Sequence, residues 1–154
     1  MAAAADLQLP VCLMHMQGDP RTMQANPVYD NVVDDVTGYL SERVAQCEQA
    51  GLGRELLIVD PGFGFGKTPQ QNMEMLANLD RFLVIGCPVL IGVSRKSTIG
   101  MITNRGIDER LAGSLAAAVA AVMQGASIVR AHDVRETVDA VAVAGCLMNN
   151  GEVA

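Results

Sequence analysis

Residues 56–71 read Leu-Leu-Ile-Val-Asp-Pro-Gly-Phe-Gly-Phe-Gly-Lys-Thr-Pro-Gln-Gln, an apolar run followed by a glycine-rich turn and a helix start. The apolar run is continuous rather than alternating, which is typical of a parallel strand covered on both faces. Thr68-Pro69-Gln70-Gln71 has the pattern of a capping box with proline at the first helical position. The stretch therefore predicts one βα unit in which Asp60 closes the strand.

The same unit recurs along the chain. Three more apolar runs precede helical patterns, at residues 10–15, 88–93 and 127–132. Three further segments are predicted to be helices, each after a capping residue: 27–50 after Asn26, 109–124 after Asp108, and 134–148 after Asp133. Four βα units form either a small open doubly wound sheet or half of a closed eight-stranded barrel.

Length and charge limit the class of protein. The chain has 154 residues, of which 50% are hydrophobic, and we expect a single domain over residues 1–154. A complete barrel takes about 250 residues, so a barrel reading makes this a partial domain. The formal net charge is 11 − 17 = −6. This acidic balance argues against nucleic-acid partners and against an anionic membrane surface.

Targeting and cysteine patterns point to the cytoplasm. The longest apolar stretch, Leu115–Met123, is too short to span a bilayer, which takes about 20 apolar residues. Residues 1–6 lack the basic region of a signal peptide. The four cysteines form no CxxC pair, so we expect reduced, mostly buried thiols rather than a metal site: Cys12, Cys47, Cys87 and Cys146.

Polar side chains follow all four predicted strands, and in parallel α/β folds this edge of the sheet holds the active site. They are His15 and Gln17, Asp60, Ser94-Arg95-Lys96, and Arg130 with His132. The glycine-rich turn lacks the G-x-G-x-x-G spacing of a dinucleotide site. It also lacks the first glycine of a P-loop, because position 61 is Pro.

Each group has a chemical interpretation and a structural alternative. Asp60 can accept two N–H bonds from an amidine-like ligand edge, or it can cap its own turn. The cations at 95 and 96 suit an anion or a heterocycle rich in lone pairs, or form a solvated turn. Arg130 and His132, on one side of the last strand, suit a phosphate. Alternatively, Arg130 pairs with Asp133 or Asp60, and His132 is a buried core histidine.

Five ordered motifs together resemble bacterial dihydropteroate synthase. They are Met14-His-Met-Gln-Gly-Asp-Pro20, Asp60-Pro-Gly-Phe-Gly-Phe-Gly-Lys67, Gly92-Val-Ser-Arg-Lys-Ser97, Arg110-Leu-Ala-Gly-Ser114 and Arg130-Ala-His-Asp-Val134. The resemblance covers essentially the whole chain. It implies an α/β fold of four consecutive βα units, the second half of a TIM (β/α)8 barrel.

The resemblance also implies the reaction. That family joins 6-hydroxymethyl-7,8-dihydropterin diphosphate to 4-aminobenzoate, giving 7,8-dihydropteroate and diphosphate for folate synthesis. Asp60 would bind the amino-pyrimidinone edge of the pterin. Lys96 would bind the pterin ring and close the aminobenzoate pocket. Arg130 and His132 would hold the departing diphosphate, so these three cationic or imidazole side chains are the expected catalytic residues.

Further residues would shape the two substrate pockets. By the same resemblance, Phe65, Ser94 and Gly92 would line the aminobenzoate side, where sulfonamides compete. Met14 and Leu90 would form apolar walls of the pterin slot. The family's Mg²⁺ is held by an Asn in the first half of the barrel, so no metal ligand is expected in this chain. The family is usually a homodimer through late barrel helices.

Three alternatives remain at this stage. A methyltetrahydrofolate-dependent pterin methyltransferase shares the fold, although a methyl donor has no diphosphate for Arg130 and His132 to hold. The chain could instead be an inactive truncated fragment that binds pterin weakly. Two half barrels could also assemble into a homodimer with duplicated Asp60 and Lys96 sites.

Overall fold

The computed structural model describes residues 2–149 and Glu152. Positions 1, 150, 151, 153 and 154, which belong to the expected 1–154 domain, lie outside the described residues. The elements are α1 (Ala2–Leu7), β1 (Val11–Met14), α2 (Val32–Gln49), β2 (Leu57–Asp60), α3 (Pro69–Ala77), β3 (Leu90–Ile91), α4 (Ser97–Thr103), α5 (Leu111–Met123), β4 (Ile128–Val129) and α6 (Val134–Met148). Short 3-10 turns lie at Arg54–Leu56, Leu79–Ile85 and Ile107–Glu109.

The four strands run parallel. β1 pairs with β2 so that Met14 lies opposite Asp60, and β3 pairs with β4 so that Leu90 lies opposite Ile128. A parallel bridge between Val59 and Val89 joins the two pairs. The α/β class is confirmed, but β3 and β4 are shorter than the predicted strands at 88–93 and 127–132. Arg130 and His132 therefore lie beyond β4 rather than within it.

The two faces of this sheet differ. Leu57, Val59 and Ile91 are at most 1% exposed and belong to the core under the helices. On the opposite face, Cys12 and Met14 of β1 are exposed. The expectation that the strands are covered on both faces is therefore wrong for β1. The open face is the one towards which Asp60 is placed by its pairing with Met14.

The predicted capping box is confirmed, whereas α2 begins five residues later than the predicted start at residue 27. Thr68 Oγ1 accepts the Gln71 N–H, and the Gln71 side chain accepts the Thr68 N–H. α2 begins at Val32, because the Asn31 side chain accepts the free N–H groups of Val33 and Asp34 in the first turn of the helix. The side chain of Gln17 pairs with both backbone groups of Val28, which holds this segment outside the helix.

The capping of the two other predicted helices differs from prediction, and α5 begins two residues late, whereas α6 has the predicted bounds. Asp108 does not cap α5, because residues 107–109 form their own 3-10 turn, closed by the Glu109 carboxylate on Gly106 N at 3.2 Å. Asp133 precedes α6 as expected but gives it no side-chain cap. Its carboxylate is bound by Arg95 instead. Helix α4 was not predicted.

Within residues 2–149, no helix has both the length and the apolar character needed to cross a bilayer. Cys47 and Cys87 are buried, in line with the expected core thiols, but Cys12 is exposed and Cys146 is half-buried.

Candidate ligand-binding site

Asp60 lies at the carboxyl end of β2 and is 8% exposed. Gly62 N donates to its Oδ1 at 2.8 Å, so the carboxylate does cap its own turn. Burial raises the pKa of Asp60 above its ordinary value, while the Gly62 N–H and the cations Lys96, Lys67 and Arg130 act to lower it. The neighbouring cations favour the ionised carboxylate, which can accept further hydrogen bonds from a ligand besides the one from Gly62 N.

The glycine-rich loop packs directly against the segment after β1. A Cβ at Gly62 would lie 1.8 Å from the backbone oxygen of His15, and one at Gly66 would lie 2.7 Å from that of Gln17. Both glycines have positive φ, at 73° and 64°. Only glycine meets both conditions, which explains the glycine spacing of the motif.

Lys96 is held over the ring of Phe65. Its Nζ lies 3.9 Å from the ring centroid, so the β3–α4 loop and the glycine-rich loop meet here. Burial and the neighbouring Arg130 lower the pKa of Lys96, whereas Asp60 raises it. Phe65 and Lys96 thus form one wall beside the Asp60 carboxylate.

Arg95 is a structural residue of the site and not a free cation. Its guanidinium forms a two-point ion pair with Asp133, with Nε–Oδ2 3.0 Å and Nη2–Oδ1 2.5 Å. Its backbone N donates to Ser114 Oγ at 2.9 Å, and its φ is 57°. Arg110 Nη1 donates to its carbonyl at 3.0 Å. The alternative of a solvated basic turn is therefore wrong for Arg95, whose loop is tied to the start of α6.

Arg130 and His132 lie on the segment between β4 and α6. The guanidinium of Arg130 lies over Gly92, where a Cβ would be 3.4 Å from Nε. His132 N donates to Ser94 Oγ at 3.1 Å, and its Nδ1 lies 3.0 Å from the same oxygen. His132 is exposed, so the alternative of a buried core histidine is wrong. Arg95, not Arg130, is the partner of Asp133.

The structure brings most of the expected residues to one edge of the sheet. Lys96 and Arg130 both lower the pKa of Asp60, and Asp60 in turn raises the pKa of Lys96, so the three side chains lie close together. Met14 of β1 lies directly opposite Asp60 of β2. Leu90 is half-buried and is the first residue of β3. The site thus has one carboxylate, several cations and a partly apolar floor.

Two buried polar residues were not foreseen. Lys67 is 2% exposed and Asn72 is 1% exposed. Asn72 Oδ1 accepts from Gly64 N at 2.7 Å and its Nδ2 donates to Thr98 Oγ1 at 3.1 Å. Nothing in the sequence marks Asn72, because its partners are distant. Lys67 was visible only as the last residue of the glycine motif.

The residues present do not fit a bound Mg²⁺ ion. Across the described residues, no group of three His, Cys, Asp or Glu side chains converges. The one buried carboxylate of the site, Asp60, faces cations rather than further carboxylates. Magnesium prefers several oxygen ligands, and these residues do not bring such a set together.

An apolar cleft of about 520 Å³ lies elsewhere, between β4, α5 and α6. Val122, Val129 and Val138 are among its lining residues. It contains none of the charged residues described above and is separate from the candidate site.

Comparisons with known proteins agree with this arrangement. The family model described as pterin binding enzyme matches residues 1–132. The dihydropteroate synthase of Escherichia coli strain K12 is 56% identical over 143 residues, which is 93% of this chain and 51% of that protein. The chain thus spans about half the length of this curated relative.

Two solved structures show the same likeness in three dimensions. A Yersinia pestis dihydropteroate synthase in a sulfonamide drug complex superposes with a TM-score of 0.94 and 44% identity, covering 96% of this chain and 54% of that one. A dihydropteroate synthase from Xanthomonas albilineans in complex with 7,8-dihydropteroate superposes with a TM-score of 0.87 and 45% identity. The match covers 95% of this chain and 53% of that one.

Proposed function

Because the chain belongs to the pterin-binding enzyme family, we propose that it forms the pterin- and diphosphate-binding part of a dihydropteroate synthase. The reaction is the condensation of 6-hydroxymethyl-7,8-dihydropterin diphosphate with 4-aminobenzoate. We assign the four parallel strands to the second half of a TIM barrel, because helices cover one face and polar residues follow the strand ends. The open face would then be the barrel interior.

The observation that carries the proposal is the position of Asp60 among cations. The amino-pyrimidinone edge of a pterin presents two N–H donors, which match the two oxygens of an ionised carboxylate. Lys96, Lys67 and Arg130 favour the ionised form of Asp60 against the cost of burial. Asp60 would therefore recognise the pterin, with Met14 and Leu90 as apolar neighbours of its ring.

Arg130 and His132 would hold the leaving group. A diphosphate carries its charge on oxygens that a guanidinium can bind through two parallel hydrogen bonds. Ser94 fixes the backbone and the ring of His132, which leaves Nε2 for the anion. Stabilising the departing charge is the main catalytic contribution expected of these residues.

The second substrate would enter beside Phe65 and Lys96. The C–O bond between the pterin methylene and the diphosphate breaks, and its electron pair leaves with the diphosphate. The arylamine nitrogen of 4-aminobenzoate bonds to that carbon and then loses a proton. Phe65, Ser94 and Gly92 would line its pocket, with Lys96 closing the side towards the pterin.

Several expectations stay predictions. A Mg²⁺ ion would be supplied with its Asn ligand from outside these residues, and a homodimer and a cytoplasmic location are still expected. The methyltransferase alternative is set aside, because the named relatives are dihydropteroate synthases. The inactive fragment and the dimer of half barrels become outcomes of the test.

The first test measures ligand binding by the chain itself. Asp60→Asn should reduce the affinity for 6-hydroxymethylpterin at least tenfold, since a carboxylate acceptor is lost. Arg130→Ala should weaken a pterin diphosphate far more than the bare pterin. Unchanged pterin affinity in Asp60→Asn would remove Asp60 from the site, and equal losses for both ligands would reject the anion role of Arg130.

The second test measures catalysis. Dihydropteroate formation is followed with Mg²⁺ present, for the chain alone and mixed with a separately expressed N-terminal half of a related synthase. Activity only on mixing is the expected result. Activity of the chain alone would favour a dimer of half barrels, and no activity in either case would favour an inactive fragment.

A further inference from the structure

Lys67 is a buried cation whose partners are all uncharged. Its Nζ donates to the carbonyl oxygens of Gly62 and Phe65, at 3.0 Å each, and lies 2.9 Å from His15 Nδ1. An ammonium group has three hydrogens, and three acceptors surround it. Burial of a charge without a directly bonded carboxylate is costly, so this placement calls for an explanation.

The three acceptors lie on the two segments that meet beside Asp60. Gly62 and Phe65 are the ends of one tight turn, which Phe65 N closes by donating to Gly62 O at 3.0 Å. His15 directly follows β1, and its backbone N donates to Asp60 O at 3.0 Å. Lys67 therefore ties the inside of the turn to the end of the neighbouring strand.

This turn controls two groups of the candidate site. Gly62 N is the donor to the Asp60 carboxylate, at 2.8 Å. Lys96 Nζ lies 3.9 Å from the centroid of the Phe65 ring. A change in the backbone conformation of residues 62–65 would therefore move two groups together: the Gly62 N–H that donates to Asp60, and the Phe65 ring that contacts Lys96.

We propose that Lys67 is a positioning residue of the pterin site, which holds the 62–65 turn against His15 so that Asp60 and Phe65 keep their places. The inference rests on the proposed function. Lys67 itself touches no substrate in this assignment. It acts through the main chain of the turn.

The protonation states of the pair agree with this role. Burial, with the charge of Lys67, lowers the pKa of His15 to about 4, so its ring is neutral and Nδ1 can accept a hydrogen bond. Burial lowers the pKa of Lys67 to about 7, while Asp60 raises it and Lys96 lowers it. The cation of Lys67 also acts on Asp60, which adds an electrostatic link to the geometric one.

The test compares Lys67→Met with Arg81→Met in the full chain. Arg81 is the matched control, because its cation is half exposed and pairs with Asp34 on the surface. Three quantities are measured: amide hydrogen exchange at Gly62, Gly64 and Phe65, the pKa of His15 by NMR, and the affinity for 6-hydroxymethylpterin.

In Lys67→Met we expect exchange at Phe65 to rise and pterin affinity to fall, each roughly tenfold or more, because bonds to a charged donor are lost. The pKa of His15 should rise, since the neighbouring cation is gone. Arg81→Met should match the wild type in all three. Wild-type exchange and affinity in Lys67→Met would overturn the inference.

Two further outcomes are distinguishable. If the wild-type chain binds no pterin, the proposed function fails and so does the assignment of Lys67 to a pterin site, even if exchange at Phe65 rises in Lys67→Met. If Lys67→Met does not fold, His15→Leu removes one acceptor alone, and exchange at Phe65 and pterin affinity must then change in the same directions. Wild-type values in His15→Leu would overturn the inference.

Discussion

The Nζ of Lys96 lies 3.9 Å from the centre of the Phe65 ring, so a cation from one loop rests on an aromatic face from another. The two residues are 31 positions apart in the chain, 96 − 65. A desolvated contact of this kind is stronger than one at an exposed surface. It links the loops after β2 and β3, which the sequence motifs present only as separate elements.

A double-mutant cycle should measure this contact. Phe65→Leu and Lys96→Met are made singly and together, and the free energy of unfolding is obtained from urea denaturation. We expect a coupling energy of about 1 kcal/mol. The exposed pair Arg105 and Glu109, treated in the same way, should give about 0.3 kcal/mol. Equal values for the two pairs would contradict the cation–π assignment.

The hydroxyl of Ser94 should matter for anion binding. In Ser94→Ala, His132 loses the oxygen that meets both its backbone N and its Nδ1. We expect the affinity for inorganic diphosphate, measured by calorimetry, to fall by roughly fivefold, about 1 kcal/mol. Ser127→Ala is the control, because that side chain is exposed and outside the site. Equal affinities in the two variants would show that Ser94 does not orient His132.

Two asparagines in and after α3 should contribute very differently to the free energy of unfolding. Asn72→Ala should lower the free energy of unfolding by about 3 kcal/mol, because Gly64 N and Thr98 Oγ1 lose a buried partner. Asn78→Ala should cost about 0.5 kcal/mol, since that exposed bond reaches only the Glu74 carbonyl. Urea denaturation measures both. A cost for Asn72→Ala as small as that for Asn78→Ala would mean that Asn72 does not support the glycine-rich loop.

Stability should increase between pH 7 and pH 9. The pKa of Lys67 is about 7 in the folded chain, and its ordinary value is 10.5. Between these values the unfolded chain binds a proton that the folded chain has released, so raising the pH favours folding. The expected gain from pH 7 to 9 is about 2 kcal/mol.

Between pH 7 and pH 9 the largest contribution comes from Lys67, and Lys96, whose pKa is also lowered by burial, adds a smaller one of the same sign. The pKa of His15 is lowered to about 4 from 6.5, so its contribution lies below pH 6.5. The pKa values of Cys12, Cys87 and Tyr29 are raised, so their opposing contributions begin near or above pH 9. Denaturation of Lys67→Met should show a much shallower rise in the free energy of unfolding across the window, because only the contribution of Lys96 is left. A slope equal to that of the wild type would assign the dependence to another group.

Local signals in the sequence predicted much of the fold. Thr68 and Gln71 form the expected capping box, and the positive φ of Gly51 and Gly125 follows the predicted helix ends. The family resemblance, drawn from five motifs, is confirmed. The capping box, the helix ends and each single motif depend on residues a few positions apart. This is the range that a sequence pattern can describe.

Long-range contacts explain the remaining differences. Asn26 and Asn31 are the same residue type, and the bonds that hold Val28 and Tyr29 outside the helix reach Gln17 and Gly66, which are distant in the sequence. Similarly, the sequence suggests Asp133 as a partner of the nearby Arg130, whereas the folded chain pairs Asp133 with Arg95. The burial of Lys67 likewise depends on His15, which lies 52 residues away.

The main-chain contact between the glycine-rich loop and the residues after β1 limits how the chain can vary over time. Gly62 and Gly66 leave no room for a side chain, so the wall next to Asp60 is made of peptide groups at these positions. A change of codon can replace a side chain, but it cannot replace the peptide groups. Variation in this wall is therefore confined to positions other than the two glycines, whose peptide groups are buried against the main chain of His15 and Gln17.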